Sequence, residues 1–214
     1  MPLSPQQIDR YSRQIIVPGM GGRAQERLLA SRAVLVGEGQ DLEPALLYLV
    51  GAGVGTIELA IADDRGTAAE LANSMRGLNS DVTVVPRIDE SCPAPDVILA
   101  TLGSDGSVGK AREVLARFPG SSWVIARIDS PPRIAILPSP PPCPRCAGGV
   151  WFSRPGNRAD GASVVAIAAT VEAFKLLAGY TKDTSATVID FDGYESHSSR
   201  ITPDPNCGCA KTGA

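Results

Sequence analysis

Short apolar runs alternate with longer mixed stretches through most of this chain. Ala33-Val34-Leu35-Val36 ends in Gly37, the pattern of a buried parallel strand at a turn. Pro44 to Val50 reads as a helix with Pro44 in its first turn, and Thr56 to Ile61 as a second strand. A helix over Ala68 to Leu78, a strand over Val82 to Val85, a strand over Val97 to Ala100, a helix over Val108 to Phe118 and a strand over Trp123 to Ala126 continue the alternation. Before them, Ser4 and Gln7 have the spacing of a capping box, and a short helix is expected over Arg23 to Leu29. Strands alternating with helices in this way predict an α/β fold, a doubly wound, Rossmann-type, mostly parallel sheet with helices on both faces.

The tail breaks the alternation. Arg133 to Leu137 reads as a strand, a proline-rich loop covers Pro138 to Pro144, and a long helix covers Ala162 to Leu177. Strands over Thr187 to Phe191 and Ser196 to Ile201 complete a C-terminal β extension. The expected organisation is one domain over 1–214, with N-terminal helices in 1–30, the Rossmann-like core in 31–128 and the extension in 129–214.

Composition narrows the function class. The chain has 214 residues, 43% hydrophobic and 20% charged, ordinary values for a protein with a real core. A net charge of -3 argues against a nucleic-acid or anionic-membrane partner. Ala45 to Ala62 is interrupted by Gly51, Gly53, Gly55 and Glu58, and Ala162 to Tyr180 contains Glu172 and Lys175, so neither reads as a membrane span. Met1 to Gln7 has neither a basic region nor an apolar run, so a cytoplasmic location is expected.

Gly37-Glu38-Gly39 stands where a nucleotide-binding turn belongs, between a strand and a helix. The third glycine of a GxGxxG pattern would fall at Leu42, and Glu38, Asp41 and Glu43 put carboxylates around the turn, where they would repel phosphates. Gly37 and Gly39 therefore fit a degenerate nucleotide turn or a tight turn inherited from such a fold. Of five cysteines, Cys143-x-x-Cys146 has knuckle spacing and Cys207-x-Cys209 is one residue tighter, with Gly208 between. Two close pairs suit a structural zinc ion, whose four thiolate ligands leave no open position. A redox pair or free thiols remain the alternatives. Cys92, between Ser91 and Pro93, reads as incidental, and His197 on a polar run has no partner for a hydrolytic triad.

Arg10 to Pro18 resembles the RYSRQI opening of the ThiF/MoeB/HesA family of ubiquitin-activating-like proteins. Ala45 to Leu49 with Ala52 to Ile57 resembles that family's helix-turn-strand. Cys143-Pro144-Arg145-Cys146 and Asp204-Pro205-Asn206-Cys207 resemble its zinc knuckles, and Ala173 to Leu177 its EALKLL helix. The resemblance implies ATP- and magnesium-dependent adenylation of a ubiquitin-like sulfur carrier's C-terminal glycine. The family's ribose-binding aspartate, however, falls at Ile61, its magnesium aspartate at Leu102 and its lysine at Thr67. Its arginine segment is missing between Asp64 and Gly66. Asp63 lies two residues late and Asp105 on a different turn position.

Losing these charges together removes most of the stabilisation that phosphoryl chemistry needs. The family's cysteine between knuckle and long helix is absent too, since Gly148 to Ser163 holds none. The resemblance further implies that Arg13, the second arginine of the motif, reaches across a dimer interface into a partner's ATP site, with a structural salt bridge as the bland alternative. The expectation is a binding or scaffold subunit without its own adenylation, in a homodimer or a heterodimer with an active homologue, engaging a ubiquitin-like protein. One alternative is an active adenylyltransferase with a site rebuilt from Glu38, Asp41, Asp63 or Asp105 and Lys110. The other is a nucleotide-dependent oxidoreductase, weakened by the missing third glycine.

Overall fold

The computed structural model describes residues 2–62, 65–89, 91, 93–138, 142–180, 185–192, 195–207 and 209. Asp63, Cys92 and Gly208 lie outside the described residues.

The core is an eight-stranded sheet. Its strands are β1 (Arg32–Gly37), β2 (Thr56–Ile61), β3 (Thr83–Val85), β4 (Val97–Leu102), β5 (Ser122–Arg127), β6 (Arg133–Leu137), β7 (Thr187–Asp192) and β8 (Glu195–Arg200). They lie in the order β3-β2-β1-β4-β5-β6-β7-β8. The first five are parallel and the β extension adds three antiparallel neighbours. The order reverses direction at β1 and β4, the switch point where such sheets bind ligands beyond their strand ends. All of β4 is buried, since it is covered on both faces, and this is why its sequence is an unbroken apolar run.

The helices are α1 (Pro5–Arg10), α2 (Ser12–Ile15), α3 (Gly21–Ala30), α4 (Gly39–Ala52), α5 (Arg65–Ser74), α6 (Asp105–Arg117) and α7 (Ala162–Ala178). One sheet face packs against α3, α4, α5 and α7 through Leu28, Leu46, Leu71 and Ala169. The other packs against α6 and the buried indoles of Trp123 and Trp151. The doubly wound Rossmann-type expectation holds.

Local expectations hold less evenly. Ser4 and Gln7 form their capping box on α1. Pro44 is not in the first turn of its helix, because α4 begins at Gly39 and already closes backbone bonds from Asp41 and Leu42 to the Glu38 carbonyl. The third helix runs earlier than expected: Gly77, at φ +83, sits in the left-handed region and turns the chain before Leu78. The strand after it starts at Thr83, since Val82 is taken into a turn by its N–H bond to the Asn79 carbonyl.

The N-terminal helices are tied down by a polar cluster. Tyr11 is buried, and its hydroxyl lies 3.2 Å from Asn79 Oδ1 and 3.1 Å from Asp81 Oδ2. Burial pushes its phenol up to about 12, so it stays a hydrogen-bonding hydroxyl. Arg10 donates to Asn79 Oδ1 at 2.7 Å. Gly53, at φ +85, caps α4 here, and a Cβ on it would fall 2.7 Å from the Tyr11 ring.

At the end of β5, Arg127 and Asp129 form a buried ion pair with contacts of 2.7 and 2.6 Å. Arg127 Nη1 also donates to the carbonyls of Val150 (2.8 Å) and Ser153 (3.0 Å), which fixes the 3-10 turn over Gly149–Phe152 and its buried Trp151. Asp129 Oδ2 accepts the Gly156 N–H at 2.8 Å. Burial raises the Asp129 carboxyl, but the Arg127 and Gly156 hydrogen bonds outweigh it and hold it below its ordinary value. A carboxyl depressed on folding stabilises above the unfolded-state range near ~3.9 and loses that contribution as pH falls through its folded value. Asp129→Asn is therefore expected to cost about 3–5 kcal/mol at neutral pH, by leaving Arg127 buried and unpaired. Urea unfolding should show the gap from the unsubstituted protein shrinking as the pH falls below the ordinary carboxylate range.

Candidate functional site

Two local arrangements hold most of the sequence-predicted residues: the crevice at the sheet switch point and the four-cysteine cluster.

Gly37 closes β1 at the crevice. A Cβ there would fall 2.9 Å from the Thr101 carbonyl oxygen and 3.2 Å from Leu42, so the glycine is demanded by packing alone. Gly39 is buried at the start of α4. Leu42, at the third-glycine position, is fully buried against Gly37. Of the three carboxylates, Glu43 is exposed, Glu38 half-buried and Asp41 buried.

Asp41 has a partner that the sequence pattern did not reveal. Its Oδ1 lies 2.8 Å from Nη2 of Arg158. Arg158 is held by its backbone. The Asn157 carbonyl accepts the Ser130 N–H at 3.0 Å, and the Ala159 N–H donates to Ile128 at 2.9 Å. Asp129 and Arg158 form an isolated antiparallel bridge. The segment carrying Arg158 thus runs along the chain that leaves β5. At the end of β4, a Cβ on Gly103 would meet Ile128 at 2.8 Å and Asp41 Oδ2 at 4.0 Å. Side chains of Asp41, Leu42 and Ile128 accordingly crowd the space beyond β1 and β4.

The α6 N-terminus is closed in a similar way. Ser104 and Ser107 form a reciprocal capping box, and Ser107 Oγ also accepts the Gly103 N–H at 3.1 Å. The Ser-x-x-Ser spacing of Ser104 and Ser107 is the sequence signal for this closure. Ile61 and Leu102, where the resemblance implies aspartates, are buried apolar side chains at the ends of β2 and β4. Two of the residues that could rebuild the site are engaged elsewhere. Lys110 pairs with Glu113 at 2.7 Å, and Asp105 pairs with Arg154 at 3.4 Å, both near the surface.

Arg13 is exposed on α2 and makes no hydrogen bond or ion pair among the described residues. Its motif neighbours Arg10 and Tyr11 are the ones anchored to Asn79. His197 lies exposed on β8, 3.7 Å from Glu195, and joins no catalytic group.

The cysteine pairs do meet. Cys143 and Cys146 form a knuckle turn with a 2.9 Å backbone bond, and Asp204 caps the turn into Cys207. Sulfur separations are 3.9 Å for Cys143–Cys146, 3.6 Å for Cys143–Cys207 and 3.2 Å for Cys146–Cys209. Thiolates around zinc at Zn–S about 2.3 Å stand about 3.8 Å apart, so the four sulfurs have close to the right dimensions and could hold the ion. Their crowding splits the titrations: hydrogen bonds from Cys209, both backbone and thiol, hold Cys207 down to about 7, while burial pushes Cys143 up.

An apolar cavity of about 610 Å³ lies away from the crevice, between the N-terminal helices, α4 and α7. Gln14, Val17, Leu47, Tyr48, Phe174 and Tyr180 line it. Around it Ile16, Leu47, Val164 and Ile167 are 77%, 52%, 67% and 48% exposed, an apolar face of the kind that marks an interaction surface. Among the described residues, no helix is long and apolar enough to cross a membrane.

No family model matches the chain. The chain is similar to the crystal structure of E. coli MccB with ATP, at TM-score 0.68 and 15% identity over 94% of this chain and 73% of that one, a likeness of fold. It is 30% identical to the mouse adenylyltransferase and sulfurtransferase MOCS3 over 93% of its own length, and spans 51% of that protein. It is 33% identical to the SAMP-activating enzyme E1 of Haloferax volcanii, with 96% of this chain and 91% of the relative matched. That alignment runs over 258 positions against the 214 residues of this chain, so the relative carries segments that this chain lacks. With identity at this level along nearly its whole length, the chain belongs to the ThiF/MoeB-like, E1-like family of ubiquitin-like and sulfur-carrier activating proteins.

Proposed function

We propose that this chain lacks ATP-dependent adenylation of its own and acts as a binding or scaffold subunit for a ubiquitin-like protein or an active homologue. The observation that carries this reading is the character of the crevice. Adenylation develops charge on phosphoryl oxygens and a leaving pyrophosphate, and catalysis there is positioning plus electrostatic stabilisation by cations and metal-bound carboxylates. Ile61 and Leu102 supply neither, being buried and apolar. Arg158, the cation beside the α4 N-terminus, is already neutralised by Asp41. A rebuilt active site is the second reading, favoured by the 33% identity to a protein named an activating enzyme. Against it stand the engagements of Asp41, Asp105 and Lys110.

The subunit reading also gives Arg13 a use. It stands exposed beside the apolar face of α2, α4 and α7, while Arg10 and Tyr11 hold the motif in place. In this reading an active homologue covering that face would receive Arg13 at its ATP site.

Calorimetry with ATP and magnesium is expected to give no saturable heat, and ATP–pyrophosphate exchange by the chain alone no signal above background; saturable binding would sink the proposal in favour of the rebuilt site. Arg13→Ala is expected to leave the melting temperature unchanged while lowering the exchange activity of a co-purified active homologue. No change in that activity would reduce Arg13 to a surface residue.

Zinc has a structural role in this reading, pinning the chain after β8 to the loop after β6. Metal analysis should find one zinc per chain, lost in Cys146→Ser. Chelation should lower the melting temperature by at least about 5 °C, a few kcal/mol for a domain of this size.

A further inference from the structure

We propose that the Asp41–Arg158 ion pair is a built-in occupant of the switch-point crevice, and that Asp41 is the residue that excludes anionic ligands from it. The inference deepens the reading above and rests on it.

The first turn of a helix presents free N–H groups and the positive end of its dipole, and phosphates bind there for that reason. In α4 that first turn carries a carboxylate of its own. Asp41 is two residues past the start of the helix and buried, the acidic side chain of that turn. Its second oxygen faces Gly103 at the end of β4, the opposite wall of the crevice. Its first oxygen meets a guanidinium at 2.8 Å, the charge-assisted geometry in which a phosphate oxygen would meet an arginine. Asp41 thus stands in for the anion, and Arg158 for the cation that would grip it.

The two halves of the pair are supported differently. Asp41 is fixed by α4 itself. Arg158 is fixed by the backbone bonds joining Asn157 and Ala159 to Ser130 and Ile128, and by Asp129, which holds Gly156. Removal of the Asp41 carboxylate therefore leaves the arginine's backbone in place and takes away the negative charge it meets. Glu38, half-buried, and Glu43, exposed, remain near the turn, and among the described residues neither forms an ion pair with Arg158.

Inorganic pyrophosphate without magnesium is the probe, followed by calorimetry and by phosphorus NMR line broadening. Asp41→Ser is expected to bind pyrophosphate at least about tenfold tighter than the unsubstituted chain, and Asp41→Ser with Arg158→Gln to lose the gain. Where Asp41→Ser unfolds without cooperativity, Asp41→Asn, isosteric and neutral, is read in the same way. Equal binding by the folded single variant overturns the inference, and so does a gain that survives loss of Arg158. ATP binding by the unsubstituted chain instead overturns the pseudoenzyme reading; the ratio between variant and parent still decides this one.

Discussion

Much of the molecule's functional geometry hangs on the guanidinium of Arg127. A buried cation at the end of a central strand is tolerable only when its donors are met, and here they are divided between two pieces of chain. Nη1 gathers the carbonyls of the 3-10 turn over Gly149–Phe152, and so seats Trp151 under the sheet. The fork of Nε and Nη2 meets Asp129. Asp129 in turn holds Gly156, and the chain that follows lies along 128–130 and delivers Arg158 to the crevice. The loop carrying Cys143 and Cys146 enters the same turn. One ion pair thereby connects the cysteine cluster, the second sheet face and the crevice.

The described strand ends and helix starts at the crevice are closed largely by the chain's own side chains. A phosphate-binding switch point is polar, open and short of negative charge, so that ligand and metal complete it. Here hydrophobic burial completes the strand ends: Ile61, Leu102 and Ile128 satisfy themselves against the core. Serines close the α6 N-terminus, and an aspartate occupies the first turn of α4. Each substitution would be a modest loss in an open site. Among the described residues at these strand ends, no buried side-chain polar atom is without a partner. Gly37 persists because Thr101 and Leu42 leave no room for a Cβ, a packing demand independent of any phosphate.

What the sequence disclosed follows from how local each signal is. The central strands were legible because burial on both faces forces apolar runs, unbroken in β4, and the Ser4–Gln7 box because its bonds span one turn. The cysteine cluster was legible because each pair is a local turn; only the meeting of the two pairs required the fold. The start of α4 was misjudged because Pro44 suggests a first turn, whereas the helix accepts its ring further in once Glu38 has begun the backbone ladder. Asp41 read as repulsive since its partner, Arg158, lies far along the chain and no pattern announces it. Charge at a turn, counted from the sequence, thus gives the number of carboxylates but not their partners: Asp41 is paired with Arg158.

The N-terminal motif supports the same division between what serves the fold and what is offered outward. Arg10 and Tyr11 spend their polar groups on Asn79 and Asp81, a linkage that fixes the first helices to the turn before β3. Burial of Tyr11 would be costly without those bonds. Arg13, three residues on, lies outside that cluster, exposed, next to Ile16 and Val17. No hydrogen bond or ion pair among the described residues holds the Arg13 guanidinium, although the helix beneath it is anchored through Arg10 and Tyr11. What is anchored is the backbone that presents Arg13, so the rotamer entropy of the side chain is still to be lost in any contact it makes.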